Sequence, residues 1–352
     1  MKRVFLLCIL ALLFSLQLSG LEISEGRIKL IIHENTGRFS IYYLENVSRN
    51  QYTPLLLTQD PRTTVLSVLI ENRVYRMGES GSFRQSVEET VNGAQISWQS
   101  TEATVTQSFQ LIRSANSSLA NGVLITITIE NVSEQPLSIG ARYLFDTYLG
   151  EDENNHFFVG SEMQTINREY SINANSSTGL WVSKEENSDI GFMQSLSGEG
   201  ITRPDRVVFA NWKRLDDTPW SYDVNTTRNF SRLPYSINDS AAAVYFNPTT
   251  VASGSSREIT LAIGNFNTSG FSASTAETSN EELHALHERS NESSAEDATP
   301  ENTIRTDLIR VRDIINQIDR LLSLDREITE SEIEVLENLI EELENKVENG
   351  NN

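Results

Sequence analysis

The sequence predicts a mostly β protein: a large two-layer antiparallel β-sandwich followed by a C-terminal antiparallel α-helical hairpin. Three observations carry this. Short apolar runs at a period of two recur from residue 27 to 264, and Gly, Pro, Asn and Asp separate them. Beyond Pro300 the apolar period changes to alternating steps of four and three.

The elements follow in order. Residues 1–20 read as a signal peptide, with Lys2 and Arg3 ahead of an apolar run from Val4 to Leu16 and then Ser19-Gly20. The run is shorter than the ~20 residues that span a bilayer, and no later stretch is apolar enough to cross one. The mature chain is expected to begin near Leu21 and to be exported, to the periplasm or the cell envelope. Cys8, the one cysteine, falls inside this leader, so disulfides and thiolate metal sites are excluded from the mature chain. The formal net charge of −21 sets nucleic acid and anionic membrane surfaces aside as partners. The charge is uneven, since residues 275–352 hold 21 Asp and Glu against 7 Lys and Arg.

Residues 21–268 form the expected sandwich. Ile28, Leu30 and Ile32 alternate with polar or outward positions, Glu34-Asn35-Thr36-Gly37 reads as a hairpin turn, and Phe39, Ile41 and Tyr43 resume the alternation. Strands are expected at 63–70, 72–75, 94–98, 104–112, 123–130, 137–145, 157–159, 191–193, 206–212, 241–246 and 257–264. The clearest is 123–130, where Ile125, Ile127 and Ile129 share one face, Thr126 and Thr128 the other, and Leu124 is out of phase. No helical period is visible before residue 270. Residues 269–299, rich in Ser, Thr, Asn, Glu and Ala, read as a flexible polar linker.

Residues 300–348 read as the helical hairpin. Ile304, Leu308, Val311, Ile315, Ile318 and Leu322 form one stripe, and Ile333, Leu336, Ile340, Leu343 and Val347 a second. Thr329-Glu-Ser-Glu332 matches a capping box at the second start. Ile314, Leu321, Val335 and Leu339 widen the two stripes beyond a narrow seam. They are the expected interaction residues, for self-association or a protein partner, against packing back on the sandwich.

The chemistry-bearing stretch is Gly140–His156, where an apolar strand runs into a dense acidic loop. Asp146, Glu151, Asp152 and Glu153 offer hard oxygen ligands, so calcium is the one cofactor the loop suits; otherwise none is expected. The spacing lacks the alternating acids of an EF-hand, and a solvated acidic turn is the competing reading. Asp146, Asp152 and His156, with Trp212 and Trp220 from an aromatic segment rich in Asn, Asp and Arg, make the candidate ligand site, its rings suited to sugar faces. Packing of those rings on the sandwich is the alternative. No nucleophile elbow, phosphate loop, zinc signature or dinucleotide fingerprint is present, and no catalytic residue is assigned.

Several of these segments carry a resemblance. The run Gly140-Ala-Arg-Tyr-Leu-Phe-Asp-Thr-Tyr-Leu-Gly150, with Pro204-Asp-Arg-Val207, Ala210-Asn-Trp212 and Asp239-Ser-Ala-Ala-Ala-Val-Tyr-Phe-Asn-Pro248, resembles a group of largely uncharacterised, secreted bacterial β-sandwich proteins. That group carries a G-x-R-x-x-x-D-T-x-L-G motif. The likeness covers residues 26–265, and this chain departs at Phe246 and at Glu151-Asp152-Glu153. It implies a large sandwich similar to those of sugar-active, mutarotase-like domains.

The reading drawn from these features is a non-enzymatic, exported recognition or scaffold module with the helical hairpin as its assembly element. The alternative is a carbohydrate-binding or carbohydrate-active, mutarotase-like protein.

Overall fold

The computed structural model describes residues 20–273 apart from 48, 91, 92, 116 and 118, together with 308, 309, 311, 312 and 315. The expected leader at 1–19 and the expected interaction residues Ile314, Leu321, Val335 and Leu339 lie outside the described residues, as does nearly all of the stretch 300–348 read as a helical hairpin. The described part is mostly strand, and every strand pairing is antiparallel. Among the described residues, no helix is long and apolar enough to cross a membrane.

Three sheets are built. The first runs in chain order through β1 (Gly20–Glu25), β2 (Ile28–His33), β3 (Arg38–Asn46) and β4 (Gln51–Pro54). Its central hairpin closes as the sequence predicts, with the Gly37 amide donating to His33 O at 2.9 Å and Gly37 taking a positive φ. The second sheet has six strands. Its strands are β5 (Val65–Ile70), β6 (Arg73–Arg76), β11 (Leu137–Asp146), β14 (Tyr170–Asn173), β17 (Arg206–Asn211) and β18 (Ser240–Val251). They lie side by side in the order β14-β17-β18-β11-β5-β6.

The third sheet has nine strands. It takes β7 (Arg84–Thr90), β8 (Gly93–Gln99), β9 (Ala103–Ile112), β10 (Gly122–Asn131), β12 (Phe157–Val159), β13 (Gln164–Ile166), β15 (Leu180–Lys184), β16 (Gly191–Ser195) and β19 (Ser256–Asn265). Their order is β13-β12-β15-β16-β19-β10-β9-β8-β7. Between the large sheets, alternate residues of facing strands fill one core: Ile125, Ile127 and Ile129 of β10, and Tyr143 and Phe145 of β11. The Phe145 ring lies 5.3 Å from Phe192, and Phe192 5.3 Å from Trp181, so aromatic contacts knit the two layers together. Leu124, out of phase in its strand, faces outward and packs with Phe158, Met193 and Phe271.

Two departures from the predicted layout matter. The polar linker was expected from residue 269, yet Phe271 is buried against the outer face of the nine-stranded sheet, because its ring covers Leu124 and Ala262. A short helix, α1 (Trp212–Asp217), follows β17 where no helix was expected; at six residues it is too short to show a period. Farther on, Leu308, Ile309, Val311, Arg312 and Ile315 are helical. Ile309 packs into a cluster with Leu44 and Leu119, and Arg312 Nη2 donates to Gly26 O at 2.6 Å. Ile309 and Arg312 thus touch the sandwich, whereas Leu308, Val311 and Ile315 are exposed.

Candidate functional site

The chemically unusual region lies at one end of the six-stranded sheet, where β11 stops and β18 begins. Asp146, the last residue of β11, pairs in register with Ala241, so the turn after β11 meets the chain entering β18. Thr147 ties the two together, its Oγ1 donating to Ser240 O at 3.0 Å. The turn reverses at Gly150, whose φ is +84° and where a Cβ would meet Asn155 O and Lys184 O at 2.5 Å each. That reversal brings Glu151 back over the head of β18. Its Oε1 accepts from the Ser240 amide at 2.7 Å and from Ser240 Oγ at 2.9 Å.

Three carboxyls lie around this strand end, each with its own hydrogen-bond partners. Burial pushes Asp146 well above the ordinary carboxylate range; a Thr63 hydrogen bond opposes the shift, and the charges of Asp239, Glu151 and Asp216 add to it. Glu151 is pushed up to about 8, chiefly by burial, against its bonds to Ser240 and with help from Asp239 and Asp152. Burial also raises Asp239, while hydrogen bonds with Ser236 and Asn211 pull it down. The charges that raise Asp146 and Glu151 come from neighbouring acids. At about 8, Glu151 holds its proton at neutral pH, when ordinary carboxyls have lost theirs.

His156 closes the turn and is fully buried. Its ring packs 4.4 Å from Phe230, its Nε2 lies 3.4 Å from Asn154 Oδ1, and its Nδ1 has no hydrogen-bond partner among the described residues. Burial lowers it to about 4, so it is neutral.

The segment between β17 and β18, residues 212–239, crosses the outer face of the same sheet. Asn211 is its clasp. The Asn211 Oδ1 accepts from the Arg214 amide and caps α1, while Nδ2 donates to Phe230 O at 2.8 Å, Ser236 Oγ at 2.9 Å and Asp239 O at 2.9 Å. Buried Glu169 is its second pin, accepting from Arg214 Nη1 at 2.9 Å, Tyr222 OH at 2.7 Å and the Asn225 amide at 2.9 Å. Under the segment lies Arg142, fully buried without an acid partner. Its Nη1 donates to Pro219 O and its Nη2 to Leu215 O, and its guanidinium sits 5.4 Å from the Tyr245 ring.

The predicted site residues are thus divided. The fold brings Asp146, Glu151 and His156 to one strand end. Asp152 and Glu153 point to solvent, and Glu153 accepts from the Glu186 amide. The four acids proposed for calcium do not converge: among the described residues no three His, Cys, Asp or Glu side chains stand close enough to hold a metal ion. The two tryptophans are half-buried and pack on the sheet, Trp212 Nε1 donating to Thr63 O at 3.1 Å and Trp220 lying edge-on to Tyr245 at 6.1 Å. Sequence reasoning missed Asp239, Ser240 and Glu169. Asp239-Ser240 was visible as part of a motif, but only the pairing of β11 with β18 puts it beside Glu151.

A large antiparallel sandwich with buried carboxyls around one strand end is the class defined here. No protein-family model and no curated protein matches the chain. Among solved structures it is similar to a galactose mutarotase related enzyme from Lactobacillus acidophilus, at 9% identity over 71% of this chain and 98% of that one, TM-score 0.45. It is also similar to a putative aldose 1-epimerase from Escherichia coli K12, at 10% identity over 70% and 99%, TM-score 0.43. An aldose epimerase homologue from C. elegans gives 8% identity over 71% and 99%, TM-score 0.45. What these proteins are named for stays with them.

The expected non-enzymatic scaffold is corrected at this point. That reading rested on two observations: a sequence without a catalytic constellation, and a helical pair read as an assembly element. The solved structures it is similar to are named as mutarotase and epimerase relatives, and the fold sets Glu151 against Ser240 and near Asp239, residues the sequence keeps far apart.

Proposed function

We propose that the chain is a carbohydrate-active protein of the mutarotase-like kind, working at the end of β11 and β18. The observation that carries this is the set Asp146, Glu151 and Asp239 around one strand end, all raised above the ordinary carboxylate range by burial, with Glu151 bonded to Ser240 at the head of β18. Ring opening of an aldose at its anomeric carbon needs a proton given to the ring oxygen and one taken from the anomeric hydroxyl. Glu151 and Asp239 are half-buried and within reach of a ligand, whereas Asp146 is closed off behind them. Glu151, protonated at neutral pH, is the donor, and Asp239 the acceptor. Asp146, buried at the end of β11, is a positioning residue of the strand end. His156, neutral and packed on Phe230, supports the turn.

Export belongs to the same proposal and is supported by the apolar run behind Lys2 and Arg3. The membership in secreted β-sandwich proteins is supported by Gly140, Arg142, Asp146 and Gly150 in their spacing, and the helical pair at 300–348 by its four-and-three steps.

The test is polarimetry of freshly dissolved α-D-glucose and α-D-galactose with the purified chain. A rate above the buffer blank, lost in Glu151→Gln and in Asp239→Asn, is expected. A wild-type rate equal to the blank for a full panel of aldoses overturns the reading.

A further inference from the structure

The helical residues that follow Pro300 present two sides with different surroundings. Ile309, 1% exposed, packs with Leu44 and Leu119, and Arg312 Nη2 donates to Gly26 O at 2.6 Å. That side is seated on the sandwich. Leu308, Val311 and Ile315, spaced by three and four, share the next side of the helix and are 57%, 37% and 52% exposed. Three apolar side chains in one row, on a helix already held by its neighbouring side, form a seam that a second helix would cover.

The chain itself carries a matching stripe. Residues 333–347, outside the described residues, hold Ile333, Leu336, Ile340, Leu343 and Val347 at steps of three and four. Run antiparallel to the first stripe, they set Leu343 against Leu308, Ile340 against Val311 and Leu336 against Ile315. The centre of that register falls between Asp325 and Arg326, in the middle of the break at 323–328 that separates the two stripes. A slip by one heptad either way would move the centre onto Leu322, the end of the first stripe, or Thr329, the start of the capping box.

Charge agrees with the same register. Glu337 and Glu344 flank the seam on the side of Arg312 and Arg305, and Lys346, the one cation after Arg326, falls beside Asp307. Arg312 can take such a partner, because its Nε makes no hydrogen bond among the described residues. Ile314 and Leu339, the surplus apolar residues, meet each other across the seam. A second copy of the first stripe, laid antiparallel in full overlap, would instead set Arg312 against Arg312. The short connection also favours the chain's own segment, since a tether of this kind supplies its partner at an effective concentration on the order of millimolar. We infer that residues 333–347 of the same chain cover Leu308, Val311 and Ile315, so that the C-terminal pair closes on itself beside the sandwich and does not join copies. The inference is independent of the carbohydrate reading.

The experiment is disulfide trapping in the full chain with Cys8→Ser, which removes the one native cysteine. Val311→Cys with Ile340→Cys should oxidise to a disulfide within one chain, about tenfold faster than Val311→Cys with Ile333→Cys, the pair slipped by one heptad. Sedimentation of the reduced chain should give a monomer. A disulfide between chains, or a dimer that Ile340→Asp dissolves, makes a second copy the occupant and overturns the inference. Equal or faster oxidation of the slipped pair overturns the register, and thiols that stay reduced in both pairs overturn the contact. Hydrogen exchange of Ile340→Asp is the second arm, free of introduced cysteines. Amides at 308–315 should exchange about tenfold faster or more while those of β10 keep their protection, and unchanged exchange at 308–315 would contradict the covered seam.

Discussion

The two faces of the six-stranded sheet are made by alternate residues of the same strands, yet by different means. On the inner face Tyr143 and Phe145 of β11 join a continuous apolar core, where shape and volume decide the fit. On the outer face Arg142 and Asp146 are as deeply buried, and each depends on particular polar partners in another segment. The inner face needs only that the right positions be apolar. The outer face holds charged groups whose desolvation is a standing cost, offset by carbonyls, hydroxyls and retained protons. A protein keeps such an arrangement where the groups have something to do.

The largest effect should come from the inner face. Phe145→Ala opens a cavity among Tyr143, Trp181 and Phe192 and should cost about 3–5 kcal/mol in urea denaturation, lowering the midpoint for both large sheets. A loss below ~1 kcal/mol would mean that the aromatic contacts do not join the layers.

On the outer face, Asn211→Ala removes three donated hydrogen bonds and the cap of α1, for an expected loss of about 2–3 kcal/mol. Here the readout that separates the faces is hydrogen exchange. Amides in 212–239 should exchange faster while β9 and β10 keep their protection, and uniform loss of protection would contradict a separable clasp.

The titratable groups sharpen the contrast further. Glu151 ionises at about 8 when folded, against 4.5 ordinarily, so the fold favours its protonated form. The sign follows from linkage: the advantage is whole below pH 4.5, shrinks as pH rises, and is gone above about pH 8. His156 acts in the opposite sense. Its folded value of about 4 lies below 6.5, so its share of stability is whole above pH 6.5 and lost as pH falls through 4. Thermal melts from pH 3 to 9 should show both limbs, and Glu151→Gln should flatten the fall between pH 5 and 8 while leaving the acid limb. An unchanged profile in that variant would count against the buried carboxyl trio.

The smallest effect concerns Gly140. A Cβ there would approach the Trp220 ring at 2.8 and 2.9 Å, so Gly140→Ala must move that ring. A shift in tryptophan emission with about 1 kcal/mol or less of stability is expected, because the ring is half-buried and has room to swing. No spectral change would mean that Trp220 does not rest on the sheet.

The legible parts of this fold were those set by short-range pattern. β10 announced itself through Ile125, Ile127 and Ile129, and the turn at Gly37 through its glycine. β7, Arg-Gln-Ser-Val-Glu-Glu-Thr, was not legible, because an edge strand lying half in water carries no apolar alternation. β15 offers a short apolar run with no period, and its place beside β12 and β16 depends on distant partners. The site divides in the same way. Asp146 and His156 stood out as charge beside an apolar strand, whereas Asp239 and Ser240 are tied to Glu151 only by strand pairing across some 90 residues.

The central claim is that this strand end holds a carboxyl proton at neutral pH. Carbon-13 NMR titration of the side-chain carboxyls, in the wild type and in Glu151→Gln, tests it directly. One resonance titrating near 8 in the wild type, absent from the variant, is the predicted result. Carboxyls that all titrate within the ordinary range, near 4, would contradict the account.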